Sequence, residues 1–480
     1  IIFTGNGPSA ISLSYLLDGN RPYYNGNPHP NKYLHEKLQA LGGKESILDQ
    51  NLEFFSEGIE GRSTNPIALL FDSLCRPDAD LGIDNPSLLK WVYEKEHSVN
   101  HIVLGKGKPG GAWQKMDGSM QTLSFGSWME LPSLSFKEWH AQRHRDDHSG
   151  LHSAGRATTK DMRHYYADFV EERHLSPNFR DSHVVTSVQK VAQVNKCIDS
   201  ESGEVEPCCK CKNVKKNHSY LWEVRGYNII QDDMTGELCE SFCYIAPNVV
   251  IATGTSDTPN RLGVPGETLP HCLHSLQELE QTFKNNRLPK SQDPVLIVGA
   301  GLSAADAILM ALEAKRPVVH VFRCGPNDSS LIFRKLPSTM YPEYHKVHSL
   351  MKGKAADSLY KPYPKHHLVD VKEDGGVLLQ SPNGGDILSL DVTCVVILIG
   401  SKPDLSFLPN EGRNLGIYPQ NPVDSKHNPI DIDQYSYESI QEEGLYAMGP
   451  LVGDNFVRFG VGGSLGIANH INAKKKKCCG

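Results

Sequence analysis

The 480-residue sequence predicts an α/β protein with two glycine-fingerprinted βαβ units, the second inserted into a discontinuous first. Three observations predict this class. A short apolar strand at the start of the chain runs into Gly5-Asn6-Gly7-Pro8-Ser9-Ala10. A second apolar strand, "PVLIV", runs into Gly299-Ala300-Gly301-Leu302-Ser303-Ala304. The stretches "VVIATGT", "CVVILIG" and "GLYAMGPLVGDNF" then fall in an order that leaves the first unit, completes the second and returns. Both fingerprints suit a Rossmann-like dinucleotide site. The first glycine makes the strand-to-helix turn, and the second lets backbone approach a pyrophosphate resting on the positive end of the helix.

Bulk properties narrow the class. Charged residues are 22% and hydrophobic residues 39%, which suits a soluble globular chain. The net charge of −7 argues against a whole-molecule attraction to nucleic acid. No apolar run approaches the ~18 residues of a membrane span. The chain opens inside a strand, "IIFTG", with no visible secretory signal, and its 12 Cys follow no regular framework. A cytoplasmic setting with reduced thiols is the expectation.

The first strand, turn and helix read from "IIFTGNGPSAISLSYLLDG", followed by a polar loop, "NRPYYNGNPHPNKY". Residues 21–98 read as a helical insertion, including a helix over "NPSLLKWVYEKE" with Leu88, Leu89, Val92 and Tyr93 on one face. The sheet resumes at "HIVLG". A dinucleotide-binding second strand normally ends in Asp or Glu, which grips the ribose. Here it runs into Leu104, Gly105 and Lys106. Residues 160–178 read as a helix with Met162, Tyr165, Tyr166, Phe169 and Val170 inward, and "SHVVTSVQKV" and "SYLWEVRGYN" as antiparallel strands around a Cys/Lys-rich hairpin insertion, 195–217. Pro259, Gly263, Pro265 and Gly266 mark a crossing between domains. The second unit's helix face reads as Leu302, Ala305, Leu309 and Leu312. Its second strand, "PVVHVF", ends at Arg323, which is either a group for the 2′-phosphate of NADP or a surface charge at a strand end. The predicted domains are 1–258, 259–390, a return part at 391–473 and a basic Cys-containing tail at 474–480.

Several stretches carry a family resemblance. "GGAW" (Gly110 to Trp113) with Met116, followed by "SMQTLSFGSW", resembles the flavin-contact segment of class B flavoprotein monooxygenases, especially the N-hydroxylating branch. Ala252-Thr253-Gly254, Pro265-Gly266 and His274-Ser275 are similar to the interdomain linker of flavin-containing monooxygenases. "GNGPSAISLSYLL", "EGRSTNP", "DADLGIDNPSLLKW", "VLGKGKPGGAW" and "SFGSWMELP" together resemble the oxidative stress-induced growth inhibitor family over about residues 1–470.

That resemblance implies a discontinuous FAD domain carrying an inserted NADPH domain. It implies hydride transfer to flavin, then C4a-peroxyflavin oxygenation of a small substrate, in growth inhibition and the oxidative stress response. By carry-over, Gly5, Gly7, Pro8, Ser9, Gly110, Gly111, Trp113, Gln121 and Asp454 face FAD, and Gly299, Gly301, Ser303, Ala304 and Arg323 face NADPH. It assigns no catalytic acid or base and no metal. The sequence departs from the enzymes at the missing ribose acid, and at Thr268 and Pro270 in the linker motif. It departs again at Gly126-Ser127, and it has no counterpart of the Asn beside the oxygen-activating face. These departures motivate an alternative: a flavin-binding regulatory protein with the same fold and little turnover, acting through protein partners. A flavin-dependent disulfide reductase is disfavoured, because no paired Cys lies beside either fingerprint.

Two stretches keep alternatives open. Cys197, Cys208, Cys211 and His218 offer four zinc ligands or form a solvated loop with free thiols, the favoured reading. The tail Lys474 to Lys477 with Cys478-Cys479 reads as a plain disordered basic segment, with an acylated membrane anchor the lesser reading.

Overall fold

The computed structural model describes the whole chain except residues 117–119, 144–154, 193–195, 199–204, 208–219, 233–235, 286–292, 356 and 480. It divides into two compact units. The first comprises Ile1–Gln114, Gln121–Thr255 and Pro403–Gly480; the second comprises Lys115–Met120 and Ser256–Lys402.

The first unit is built on a five-stranded parallel sheet. Its order is Leu445–Ala447, Val249–Ile251, Ile2–Thr4, Ile102–Leu104 and Phe179–Arg180. Numbered along the chain, that is 5-4-1-2-3, the order of a dinucleotide-binding sheet. Ile2–Thr4, Val249–Ile251 and Leu445–Ala447 are buried at every residue, as parallel strands covered on both faces must be. The helix Pro8–Leu17 starts on Pro at its first position and is buried from Ala10 to Leu17. The closing helix, Gly463–Cys479, packs on it, with Ser12 Oγ and Ser464 Oγ 3.0 Å apart.

The insertion corrects one expectation. "NPSLLKWVYEKE" holds a strand, Leu89–Tyr93, paired antiparallel with Asn20–Tyr24 from the stretch read as a polar loop. Leu88 and Leu89 are buried while Val92 and Tyr93 are exposed, so the four apolar side chains share no helical face. Arg21 is buried between these strands and pairs with Asp49 and with Glu94 at 3.1 Å. The insertion's helices follow at Lys32–Leu41, Leu52–Ser56 and Pro66–Cys75.

The helix expected over 160–178 spans Thr159–Glu172, with a Thr158/Asp161 capping box, and ends before His174, whose φ is +56°. His183–Ala192 and Tyr220–Asp232 are antiparallel as expected, and Gly236–Ala246 adds a third strand. A bulge at Arg225/Gly226 needs glycine, since a Cβ there would lie 2.0 Å from the Val184 carbonyl oxygen. Within the 195–217 excursion, Lys196–Ile198 pairs with Val205–Pro207. Cys208, Cys211 and His218 lie outside the described residues.

The second unit has its own parallel sheet, ordered Cys272–Leu273, Cys394–Ile397, Val295–Val298, Val318–Phe322 and Tyr360–Pro364. Its boundary corrects another expectation: residues 391–402 stay in this unit, because Cys394–Ile397 pairs in parallel with Val295–Val298. The buried face of the helix Leu302–Glu313 is Ala304, Ala305, Ala307, Ile308, Ala311 and Leu312; Leu302 and Leu309 sit at its edge. The predicted tail is no separate segment. The closing helix runs through Cys479, and Lys474 Nζ donates to Glu438 at 2.8 Å and Lys476 Nζ to Asp49 at 2.8 Å. No helix among the described residues is long and apolar enough to cross a membrane.

Candidate dinucleotide sites

Each unit places a glycine turn where a parallel strand meets a helix N-terminus. Gly5 has φ +98°, and a Cβ on it would lie 2.4 Å from the Ala252 carbonyl oxygen. Gly299 has φ +134°, with Leu398 O at 2.2 Å from the same added atom. Both positions therefore exclude every other residue. Gly7 and Gly301 are different. They are extended N-cap residues without positive φ, and a Cβ on either would meet nothing within 4 Å. Neither helix has a side-chain cap, whereas Ser275 and Thr158 close capping boxes elsewhere. Unclaimed N–H groups facing open space beside a bare Cα form the cradle a pyrophosphate fits.

Around the first cradle, Pro8 opens the helix and Ser9 lies in its first turn, with Gly449 and Gly460 close against its hydroxyl: a Cβ on either would lie 2.8 or 3.3 Å from Ser9 Oγ. Gly110 N–H donates to Asn6 O at 2.9 Å, and a Cβ on Gly111, at φ +59°, would lie 2.9 Å from Gly7 Cα. Trp113 packs edge-on to Tyr166, with centroids 5.9 Å apart. Gln121 opens the strand Gln121–Phe125, opposite Thr158. Asp454 is buried, and its carboxylate turns inward. It accepts from Ser63 Oγ at 2.6 Å, Asn65 Nδ2 at 3.0 Å and Tyr437 OH at 3.1 Å. Burial pushes this carboxyl up to about 6 against the pull of its three donors.

The missing ribose acid has a steric cause. A Cβ on Gly105 would lie 2.0 Å from Asn6 Nδ2, which donates to Gly107 O at 2.6 Å. Asn6 thus occupies the space a side chain at the strand end would need. Lys106 and Lys108 are exposed; Lys106 lies 3.9 Å from Asp404, and Lys108 acts on Asp181. These two acids come from outside the 21–98 insertion.

In the second unit, Ser303 is exposed in the first helical turn, Ala304 is buried beneath it, and Arg323 is exposed directly after the strand. Sequence reasoning passed over His320. It is buried in that strand, with Nε2 2.6 Å from Gly299 O and Nδ1 2.7 Å from Tyr360 OH. A carbonyl only accepts, so Nε2 carries the proton and Nδ1 accepts from the phenol. Burial lowers the His320 pKa to about 4, so it stays neutral. Its signal was a polar residue inside "PVVHVF". Ser63 and Asn65 left no signal, because their partner is nearly four hundred residues away.

A human protein, oxidative stress-induced growth inhibitor 2, is 44% identical over 488 residues, spanning 99% of this chain and 94% of that protein. The chain belongs to the oxidative stress-induced growth inhibitor family. Within this growth inhibitor-family chain, residues 239–449 match the pyridine nucleotide-disulphide oxidoreductase family. Its cofactor class is accordingly that of FAD- and NAD(P)H-dependent oxidoreductases. Two solved structures share the fold. Bacillithiol disulfide reductase from Bacillus cereus has a TM-score of 0.56 at 16% identity, covering 98% of each chain. L-lysine 6-monooxygenase from Pseudomonas syringae has a TM-score of 0.53 at 14% identity, covering 100% of this chain and 99% of that one.

Proposed function

We propose that this protein is an FAD-dependent, NADPH-linked monooxygenase acting on a small substrate. The observation that carries the reading is the pair of uncapped, glycine-opened helix N-termini, one in each unit. In this reading, the helix turn opened by Pro8, behind Gly5 and Gly7, holds the FAD pyrophosphate through the backbone N–H groups of Ser9 and Ala10. Gly110, Gly111, Trp113 and Gln121 lie toward the flavin end. Gly299, Gly301, Ser303 and Ala304 hold the NADPH pyrophosphate, and Arg323 pairs with its 2′-phosphate. The chemistry the two groups supply when bound is hydride acceptance from nicotinamide and activation of oxygen. The chain's own work is to bind, orient and exclude water.

Purified protein reduced anaerobically by NADPH, then consuming oxygen in step with NADPH oxidation, is the expected result. Release of thiols from a low-molecular-weight disulfide without oxygen uptake overturns it in favour of a reductase. The second reading, a flavin-binding regulatory protein with little turnover that works through protein partners, is favoured by one observation. Asn6 fills the place of the ribose acid. Bound FAD that NADPH never reduces selects that reading.

A further inference from the structure

We infer that the 21–98 insertion sets FAD affinity, through Ser63 and Asn65 holding Asp454 as an internal strut beneath the loop that crosses the first helix N-terminus. The inference rests on the FAD reading above. Residues 449–460 run directly over the phosphate end of the helix Pro8–Leu17, with Gly449 and Gly460 against Ser9 Oγ. Asp454 lies inside that loop, and its buried carboxylate accepts from three donors. Two of the three come from the insertion. Asn65 Nδ2 also reaches Val452 O at 3.2 Å, so one side chain ties the loop at two points.

A second tie lies one turn further on. Arg458 Nη2 donates to Asp72 and Asp80 of the insertion, at 2.8 Å each, and its guanidinium covers the Trp128 ring at 4.6 Å. The insertion therefore fastens the loop at both ends of Asp454–Arg458 while leaving Gly449 and Gly460 free of side chains against the cradle. Asp454 acts here as a positioning residue, its buried carboxylate held by Ser63, Asn65 and Tyr437. A buried carboxylate stripped of donors must either take a proton or move, and in either case the loop over the pyrophosphate shifts.

The test uses the full chain carrying Ser63→Ala, Asn65→Ala or both, with FAD dissociation followed by flavin fluorescence and unfolding of FAD-free protein followed in parallel. The expected result is an FAD Kd raised about tenfold by each single variant, the scale of a lost hydrogen bond to a charged group. Ser63→Thr, which keeps the hydroxyl, retains the wild-type Kd. If the double variant unfolds, the single variants carry the test. A lowered FAD-free Tm with an unchanged Kd makes the tie merely structural and overturns the inference while leaving the FAD reading intact. A wild-type protein that binds no FAD overturns both.

Discussion

Gly5 and Gly7 stand two positions apart and are constrained by different things. Backbone sterics alone demand glycine at Gly5, so Gly5→Ala should cost about 3 kcal/mol or more of stability in urea unfolding, with FAD or without it. Gly7 is open and extended, so Gly7→Ala should fold within about 1 kcal/mol of wild type. Its methyl would occupy the pyrophosphate's place, and FAD binding should weaken about tenfold or more. Arg323→Ala should remove an NADPH-over-NADH preference of about tenfold or more, read from kcat/KM with each nucleotide, if the guanidinium pairs with the 2′-phosphate. Asp454 makes a pH prediction. Its carboxyl ionises near 6 when folded, against 3.8 ordinarily, so between those values the folded state keeps a proton the unfolded chain has released. Stability should fall as pH rises through that window, by roughly 2–3 kcal/mol, and Asp454→Asn should flatten the slope. Both fingerprints were legible because glycine's role is local. The inward turn of Asp454 was not, because two of its three donors, Ser63 and Asn65, come from the far end of the sequence.

The strand Val318–Phe322 shows how a buried side chain supports a glycine turn. His320 reaches from its middle to the carbonyl of Gly299, fixing the peptide that begins the nucleotide turn. Below pH 6.5 the unfolded chain takes up a proton at His320 that the folded chain refuses until about pH 4. Stability should therefore drop as pH falls across that window, by up to roughly 3 kcal/mol, and His320→Gln should abolish that part of the urea profile. Strands buried on both faces were readable as apolar runs, and the helix Thr159–Glu172 as a helical repeat with an acid, Asp161, in its first turn. The pair Asn20–Tyr24 and Leu89–Tyr93 was not. Short strands with one wet face share apolar spacings with helices, and only the distant partner decides between them. The small alanines of Leu302–Glu313 misled for a related reason. Close packing on a sheet favours Ala, so the bulkier leucines at the edge drew the eye.

At the scale of the molecule, the two-unit layout was legible from the order of apolar strands, and the boundary erred because Cys394–Ile397 is the last strand of the inserted unit. The basic end of the chain tests what a run of lysines does when it continues a helix. Lys474 and Lys476 pair with Glu438 and Asp49 at partly exposed sites. Truncation after residue 473 should cost no more than about 1 kcal/mol, less at high salt, and should leave any affinity for anionic vesicles unchanged. The parallel strand Leu445–Ala447 has a consequence for how the protein comes into being. It is the last strand of the first sheet, and its partner Val249–Ile251 is synthesised nearly two hundred residues earlier. Every strand of the second sheet lies between the two in sequence. On the ribosome, the nucleotide unit can complete its sheet while the first unit still waits for an edge strand and its closing helix. Flavin loading is then a late event, and a chain stalled before residue 445 should present a folded, protease-resistant middle between two unfinished ends.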